Sequence, residues 1–359
     1  MINNDGVAGR FRAGSLFLLA ALLMASPGAP QQEQTNEAVA SSARNFRFEI
    51  FDYPETADDP VRFTKPRSIN DAGVVVGDIN RYKEGEQGFI YETGKFTLLA
   101  GPLFNGRFTS AIAINNRGQI LIAQDPQSSG SPIRYFIYDR AQRMFSPVGS
   151  SVQIAGAPHP IRLNPITGFN DEEQFVGNVG FGNRQYGGYG TLPIGAAGST
   201  TPPTEPGHFT RIDCPDGRSM NATSISSHGL ITGCCDPAPK LPLRSGFVFS
   251  HGSLTLFDVP GAGLTRGNGI NDAGVVAGEY TLKPLHAGLW PSTGFAYDGS
   301  QFAPVVASPG DPTHGGVSIA LAINNKGQIA GMDSNGNGNH GFVASAKTGN
   351  PLRLSGGAR

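Results

Sequence analysis

The sequence predicts an all-β repeat protein, a six-bladed β-propeller closed by an N-terminal strand, and three observations predict it. A four-residue turn signature recurs six times, the composition favours short strands joined by tight turns, and an isolated strand sequence precedes the first complete repeat. With 50 Gly, 27 Pro and 15% charged residues, the chain has many turn formers and few of the residues that build long helices.

The turns come first because they set the period. Asn70-Asp71-Ala72-Gly73 recurs as Asn115-Asn116-Arg117-Gly118, Asn170-Asp171-Glu172-Glu173, Ser226-Ser227-His228-Gly229, Asn271-Asp272-Ala273-Gly274 and Asn324-Asn325-Lys326-Gly327. Successive starts lie 45, 55, 56, 45 and 53 residues apart, a period that suits a four-stranded unit. Asn and Asp bond their own backbone, and Gly accepts the left-handed conformation that closes a hairpin. Apolar or β-rich stretches flank each turn, such as Val74-Val75-Val76-Gly77 and Val275-Val276-Ala277-Gly278. These are read as first and second strands.

A third strand follows as Gly88-Phe89-Ile90-Tyr91, Tyr135-Phe136-Ile137-Tyr138, Gly246-Phe247-Val248-Phe249, Gly294-Phe295-Ala296-Tyr297 and Gly341-Phe342-Val343-Ala344. Their aromatics are assigned to the core. The fourth strand begins at Phe96, Phe145, Phe209, Leu254 and Phe302. Unit three is degenerate: Glu173 replaces the turn glycine, and no third strand is evident between Gly187 and Gly207. Fourth strands end as Ile212-Asp213-Cys214-Pro215 and Phe257-Asp258-Val259-Pro260, and Phe51-Asp52-Tyr53-Pro54 repeats that ending before any first strand exists. Phe46 to Tyr53 is therefore expected to complete the last unit and close a ring, with Leu352 to Leu354 as the local alternative; an open array would instead need polar capping units.

The N-terminus reads as an export signal over residues 1–29. Arg10 and Arg12 precede an apolar run from Leu16 to Ala25, then small residues, and the run is too short to span a bilayer. Residues 30–45, rich in Gln, Glu, Ala and Ser, are expected to form a disordered leader, and 46–359 the repeat domain. A secreted or periplasmic location follows, with no membrane span in the mature chain. A net charge of −1 gives no footprint for nucleic acid.

The Asn-Asp/Asn-x-Gly, Gly-x-x-x-Gly, Gly-Phe-x-Tyr and Phe-Asp-x-Pro-Gly-Ala string is clearest at Asn271 to Tyr297 and Leu256 to Ala262. It resembles the bacterial extracellular HAF repeat family over about Phe46 to Ala344. The name-giving His-small-Phe element is best matched by His340-Gly341-Phe342. The resemblance implies export and a propeller-like fold, and it implies no activity.

Chemistry-bearing residues are sparse. Asp71, Asp171 and Asp272 occupy equivalent turns and are assigned to turn chemistry. Asp333, Asn335 and Asn337 alternate with small residues like half of a calcium loop, but the position of the closing Glu is Ala344, so calcium is a weak expectation and no other cofactor is expected. Cys214, Cys234 and Cys235 suit a disulfide in an exported protein, from Cys214 to either neighbour. Zinc would need further ligands, and His228 alone lies near. His286 and Trp290, in the long insertion Tyr280 to Ser292, are the loop residues expected to touch a ligand. With no nucleophile elbow or zinc-protease signature, the expected function is an extracellular or periplasmic binding module for a carbohydrate or protein ligand. The alternative is a propeller hydrolase or lyase acting on an extracellular carbohydrate.

Overall fold

The computed structural model describes residues 41–42, 45–56, 58–99, 109–125, 132–181, 184–237, 243–282, 292–308, 318–334 and 338–347. Its named elements are strands and one 3-10 turn at Pro215–Gly217, arranged as propeller-like groups of four antiparallel strands. The export signal, the leader to residue 40, His286, Trp290, Asn335, Asn337 and the tail Leu352 to Leu354 lie outside the described residues.

The strand β1 (Phe46–Phe51) opens the chain. Unit one supplies β2 (Val61–Ile69), β3 (Val75–Arg81), β4 (Gly85–Glu92) and β5 (Lys95–Leu98), and unit two supplies β6 (Thr109–Ile114), β7 (Gln119–Gln124), β8 (Arg134–Asp139) and β9 (Met144–Val148). Unit three begins with an added hairpin, β10 (Ser151–Gln153) and β11 (Ile161–Arg162). It continues with β12 (Ile166–Phe169), β13 (Gln174–Phe181), β14 (Arg184–Thr191) and β15 (Gly207–Ile212). Unit four has β16 (Met220–Ile225), β17 (Ile231–Cys235), β18 (Ser245–Ser250) and β19 (Ser253–Phe257), and unit five β20 (Ala262–Ile270), β21 (Val276–Leu282), β22 (Ser292–Tyr297) and β23 (Phe302–Val305). Unit six has β24 (Ile319–Ile323), β25 (Ile329–Ser334) and β26 (Asn339–Ala346).

Within each blade-like group, β2–β5, β6–β9, β12–β15, β16–β19, β20–β23 and β24–β26, consecutive strands pair antiparallel; in unit three β10 joins the edge strand β15 in parallel and carries β11 antiparallel outside it. Unit six lacks a fourth strand of its own among the described residues, and β1 pairs antiparallel with β26, from Phe46 opposite Ala346 to Phe51 opposite Gly341. A single parallel bridge, Phe63 to Asn339, joins units one and six. Residues 41–42 and 45 of the expected leader are among the described residues. Ser42 is buried and its hydroxyl accepts a hydrogen bond from Val306 N at 2.8 Å, while Lys347 N donates to Asn45 O.

The core lies between neighbouring units. Phe89, Phe136, Phe247, Phe295 and Phe342, one from each third strand except unit three, are at most 1% exposed. Burying such a ring contributes roughly 1.5–3 kcal/mol. In unit three, β14 supplies the third strand that the sequence pattern hid, with Gly188 where the others have Phe. A Cβ on Gly188 would come within 2.6 Å of the Phe209 ring, so a fourth-strand aromatic fills that space instead.

Second-strand glycines mark another constraint. The first strand of every unit carries a β-bulge, at Arg67, Ile112, Thr167, Thr223, Asn268 and Leu321. Beside it, a first-strand carbonyl sits where a Cβ would go: 2.1 Å from the Gly77 position, 1.9 Å from Gly233 and 2.2 Å from Gly278.

Candidate functional site: a polar channel across the repeats

Each turn begins with an Asn whose side-chain oxygen holds the turn together, except in unit four, where Ser226 takes its place. In unit one, Asn70 Oδ1 accepts Ala72 N and Val74 N, at 3.1 and 3.0 Å. Gly73 takes φ 81°, as the turn requires. The amide Nδ2 of the same residue reaches the next unit. Asn70 donates to Asn115 O at 3.3 Å, Asn115 to Asn170 O at 3.4 Å and Asn170 to Ser226 O at 3.0 Å. Asn271 then donates to Asn324 O at 3.1 Å, and Asn324 returns to Asn70 O at 2.9 Å. Ser226 has no amide to give. Units four and five are joined instead by His228 N to Asp272 Oδ1 at 2.9 Å and by Thr223 Oγ1 to Gly267 O at 2.8 Å.

The next turn residues form an outer rim in the order Asp71, Asn116, Asp171, Ser227, Asp272, Asn325, alternating a carboxylate with a neutral group. Asp71 N donates to Asn116 Oδ1, Asn116 N to Asp171 Oδ1, and Ser227 Oγ to Asp171 Oδ2, all at 2.6–2.8 Å. Asp272 N donates to Asn325 Oδ1 and Asn325 N to Asp71 Oδ1, both at 2.8 Å. The turn chemistry assigned to the three aspartates therefore extends into cohesion between units. Each carboxylate accepts backbone or side-chain donors from a neighbouring turn.

Inside the rim is a cavity of about 90 Å³ lined by residues of all six repeats. The bulge residues Arg67, Ile112, Thr167, Thr223, Asn268 and Leu321 all line it. A bulge re-aims a side chain, and here it does so at the same place in every unit. Three of these side chains bond the neighbouring unit: Thr167 Oγ1 donates to Ala222 O at 2.8 Å, Thr223 Oγ1 to Gly267 O at 2.8 Å and Asn268 Nδ2 to Ala320 O at 3.0 Å.

Arg67 is the charged member of that layer. Its Nε donates to Asp78, whose side chain is fully buried, and its Nη2 stands 3.9 Å from Glu86. Burial alone would lower the guanidinium pKa, but the Asp78 carboxylate outweighs it and the net shift is upward. Burial and the Asp78 charge push the Glu86 carboxyl up, against the pull of Arg67. Burial and the Arg67 charge push Lys65 down; Asp78, Glu86 and Glu279 oppose this. Asp78 Oδ1 is buried with no hydrogen-bond partner among the described residues. Charges from units one and five thus share one field, with Arg266 4.0 Å from Glu279.

The residues expected from sequence fare differently. Asp333 is 1% exposed, and its two oxygens accept the hydroxyls of Ser308 and Ser318; Asn335 and Asn337 lie outside the described residues. Among the described residues, no group of three or more His, Cys, Asp or Glu side chains is placed to hold a metal ion. Cys214 pairs with Cys235, Cα atoms 6.0 Å apart, tying the end of unit three to the second strand of unit four. Cys234 stays a buried thiol, pushed up to about 11 by burial. His340, of the family-like element, contacts Asp52 at 2.8 Å and so ties β26 to the segment after β1.

The channel residues were missed. Their one signal is positional: each bulge residue stands three before the first residue of its turn, Arg67 before Asn70 and so on to Leu321 before Asn324.

No protein-family model matches the chain, and no curated protein matches it. Among solved structures it is similar to TolB from Acinetobacter baumannii, at 10% identity and TM-score 0.44, covering 81% of this chain and 66% of that one. It is also similar to the Hadza microbial sialidase Hz136, at 10% identity and TM-score 0.47, covering 79% of this chain and 65% of the other. A third likeness is to a hypothetical protein from Leishmania major, at 11% identity and TM-score 0.36, covering 88% and 96%. The chain spans just under two thirds of the length of the first two.

Proposed function

We propose that the chain is an exported six-bladed propeller of the HAF repeat type, closed by β1, that acts as a binding module through its central channel. The observation that carries this reading is the bulge layer: an equivalent residue of every repeat lines one polar cavity. The turn rim and three of the six residues of that layer are already engaged in holding units together, an arrangement that favours a rigid recessed site over a mobile catalytic one. The Cys214–Cys235 bridge supports an oxidising compartment, as does the sequence of residues 1–29.

A second reading, a hydrolase or lyase acting on an extracellular carbohydrate, is favoured by one feature. A carboxyl with a raised pKa, Glu86, beside the carboxylate of Asp78 is the kind of pair that transfers a proton.

A thermal-shift screen of small metabolites and oligosaccharides against the purified mature chain separates the two. The binding reading expects compounds that raise the melting temperature, lose their effect in Thr167→Val and are recovered chemically unchanged. Turnover of a polysaccharide that Glu86→Gln abolishes would establish the enzyme; a screen without a channel-dependent compound would remove the binding module.

A further inference from the structure

Arg67 differs from the other polar residues of the bulge layer in what its bonds leave over. Thr167, Thr223 and Asn268 each donate to a neighbouring carbonyl. Arg67 uses only Nε, on Asp78. Its Nη2 is 3.9 Å from Glu86, beyond hydrogen-bond reach, and neither Nη nitrogen donates to an acceptor among the described residues. A cation at the channel wall therefore keeps most of a planar donor fork unspent, the geometry that pairs with a carboxylate.

We propose that Arg67 anchors the carboxylate of a small hydroxy-monocarboxylic acid inside the channel. The proposal rests on the channel-binding reading and names its ligand. Around the ring, the neighbours of Arg67 are the aliphatic Ile112 and Leu321, and the residue across from it is Thr223, flanked by Thr167 and Asn268. Carbon chain beside the guanidinium and hydroxyl on the far side is the polarity this wall complements. A cavity of about 90 Å³ has room for about half a dozen waters, or a ligand with that many heavy atoms. Charge limits the ligand to one carboxylate. Asp78 already neutralises one side of Arg67, Lys65 stands two residues before it, and a second anionic group would meet the rim carboxylates Asp71 and Asp171 that line the cavity.

The test is calorimetric titration of the intact mature chain with sodium lactate, glycolate and propionate, against lactamide as the neutral isostere and sodium chloride at equal ionic strength. Saturable one-to-one binding of lactate is expected, with lactamide weaker by about tenfold or more because a charge-assisted pair is lost. Arg67→Lys keeps a cation beside buried Asp78 but loses the fork, and should also weaken lactate by about tenfold. Should that variant not fold, the comparison of lactate with lactamide on the natural chain decides. No saturable binding of any of the three acids, equal binding of lactamide, or unchanged affinity in folded Arg67→Lys would overturn the proposal. A neutral compound from the thermal-shift screen that binds in the channel would then leave the binding module standing with a different ligand, whereas no channel ligand at all would remove both.

Discussion

Asn324 shows how much one side chain does in this protein. Its Oδ1 accepts Lys326 N and Gln328 N within its own turn, and its Nδ2 donates to Asn70 O across the junction of the last and first units. Asn324→Ala leaves these partners unpaired, the buried Asn70 carbonyl among them, and should cost about 2–4 kcal/mol in chemical denaturation. Glu173 tests the turn from the other direction. It holds φ 57° where the other five turns have Gly, a conformation costing an L-residue roughly 1–2 kcal/mol, and its contact with Arg117 is long and exposed. Glu173→Gly is accordingly expected to stabilise the fold by about 0.5–1 kcal/mol in the same assay. The Asn and Gly of these turns were legible in the sequence because each does work inside four consecutive residues. Arg67 was not legible: bulge positions hold Arg, Ile, Thr, Thr, Asn and Leu, and a channel accepts any of these where a turn accepts only a few residue types.

At the scale of strands, composition misled in unit three. Gln185-Tyr186-Gly187-Gly188-Tyr189-Gly190 lacks the β-branched and aromatic run that marks a strand, yet it is the middle of β14. Its glycines follow from its neighbours: a Cβ on Gly187 would press on Ala222 and Met220 of the adjoining unit, and one on Gly188 on Phe209. The isolated strand at the N-terminus was legible because its ending repeats elsewhere, and β1 pairs with β26 over six residues. Deleting Phe46 to Tyr53 exposes the β26 edge and removes the buried Phe46 and Phe51, so the melting temperature should fall steeply. An unchanged melting temperature would show that β1 is dispensable. The Cys214–Cys235 bridge closes a separation of 21 residues, and its removal as a double Ala variant should cost about 3 kcal/mol. Cys234 beside it, buried and with its thiol pushed up to about 11, should resist alkylation at pH 8 until the protein is unfolded.

Across the whole molecule, the electrostatics of the channel give stability a signature in pH. The raised pKa of Glu86 means that, above its ordinary value of 4.5, the unfolded chain loses this proton before the folded chain does. The folded state then holds more protons, so this group's contribution to stability falls as pH rises until the folded carboxyl also ionises. Glu86→Gln removes that fall. It should be more stable than the natural chain at pH 8 and lose the advantage near pH 4, as read from denaturation midpoints across pH. The central claim, that six repeats form one ring sealed by the N-terminal strand, is tested most directly by a disulfide placed across the seal. Arg47 lies opposite Ser345 in the register of β1 on β26. In a Cys234→Ser background, Arg47→Cys with Ser345→Cys should cross-link on mild oxidation, and the offset pair Arg47→Cys with Val343→Cys should do so far less. Peptide mapping that found no link between the two introduced thiols of the matched pair, or equal yields from both pairs, would contradict the closed ring.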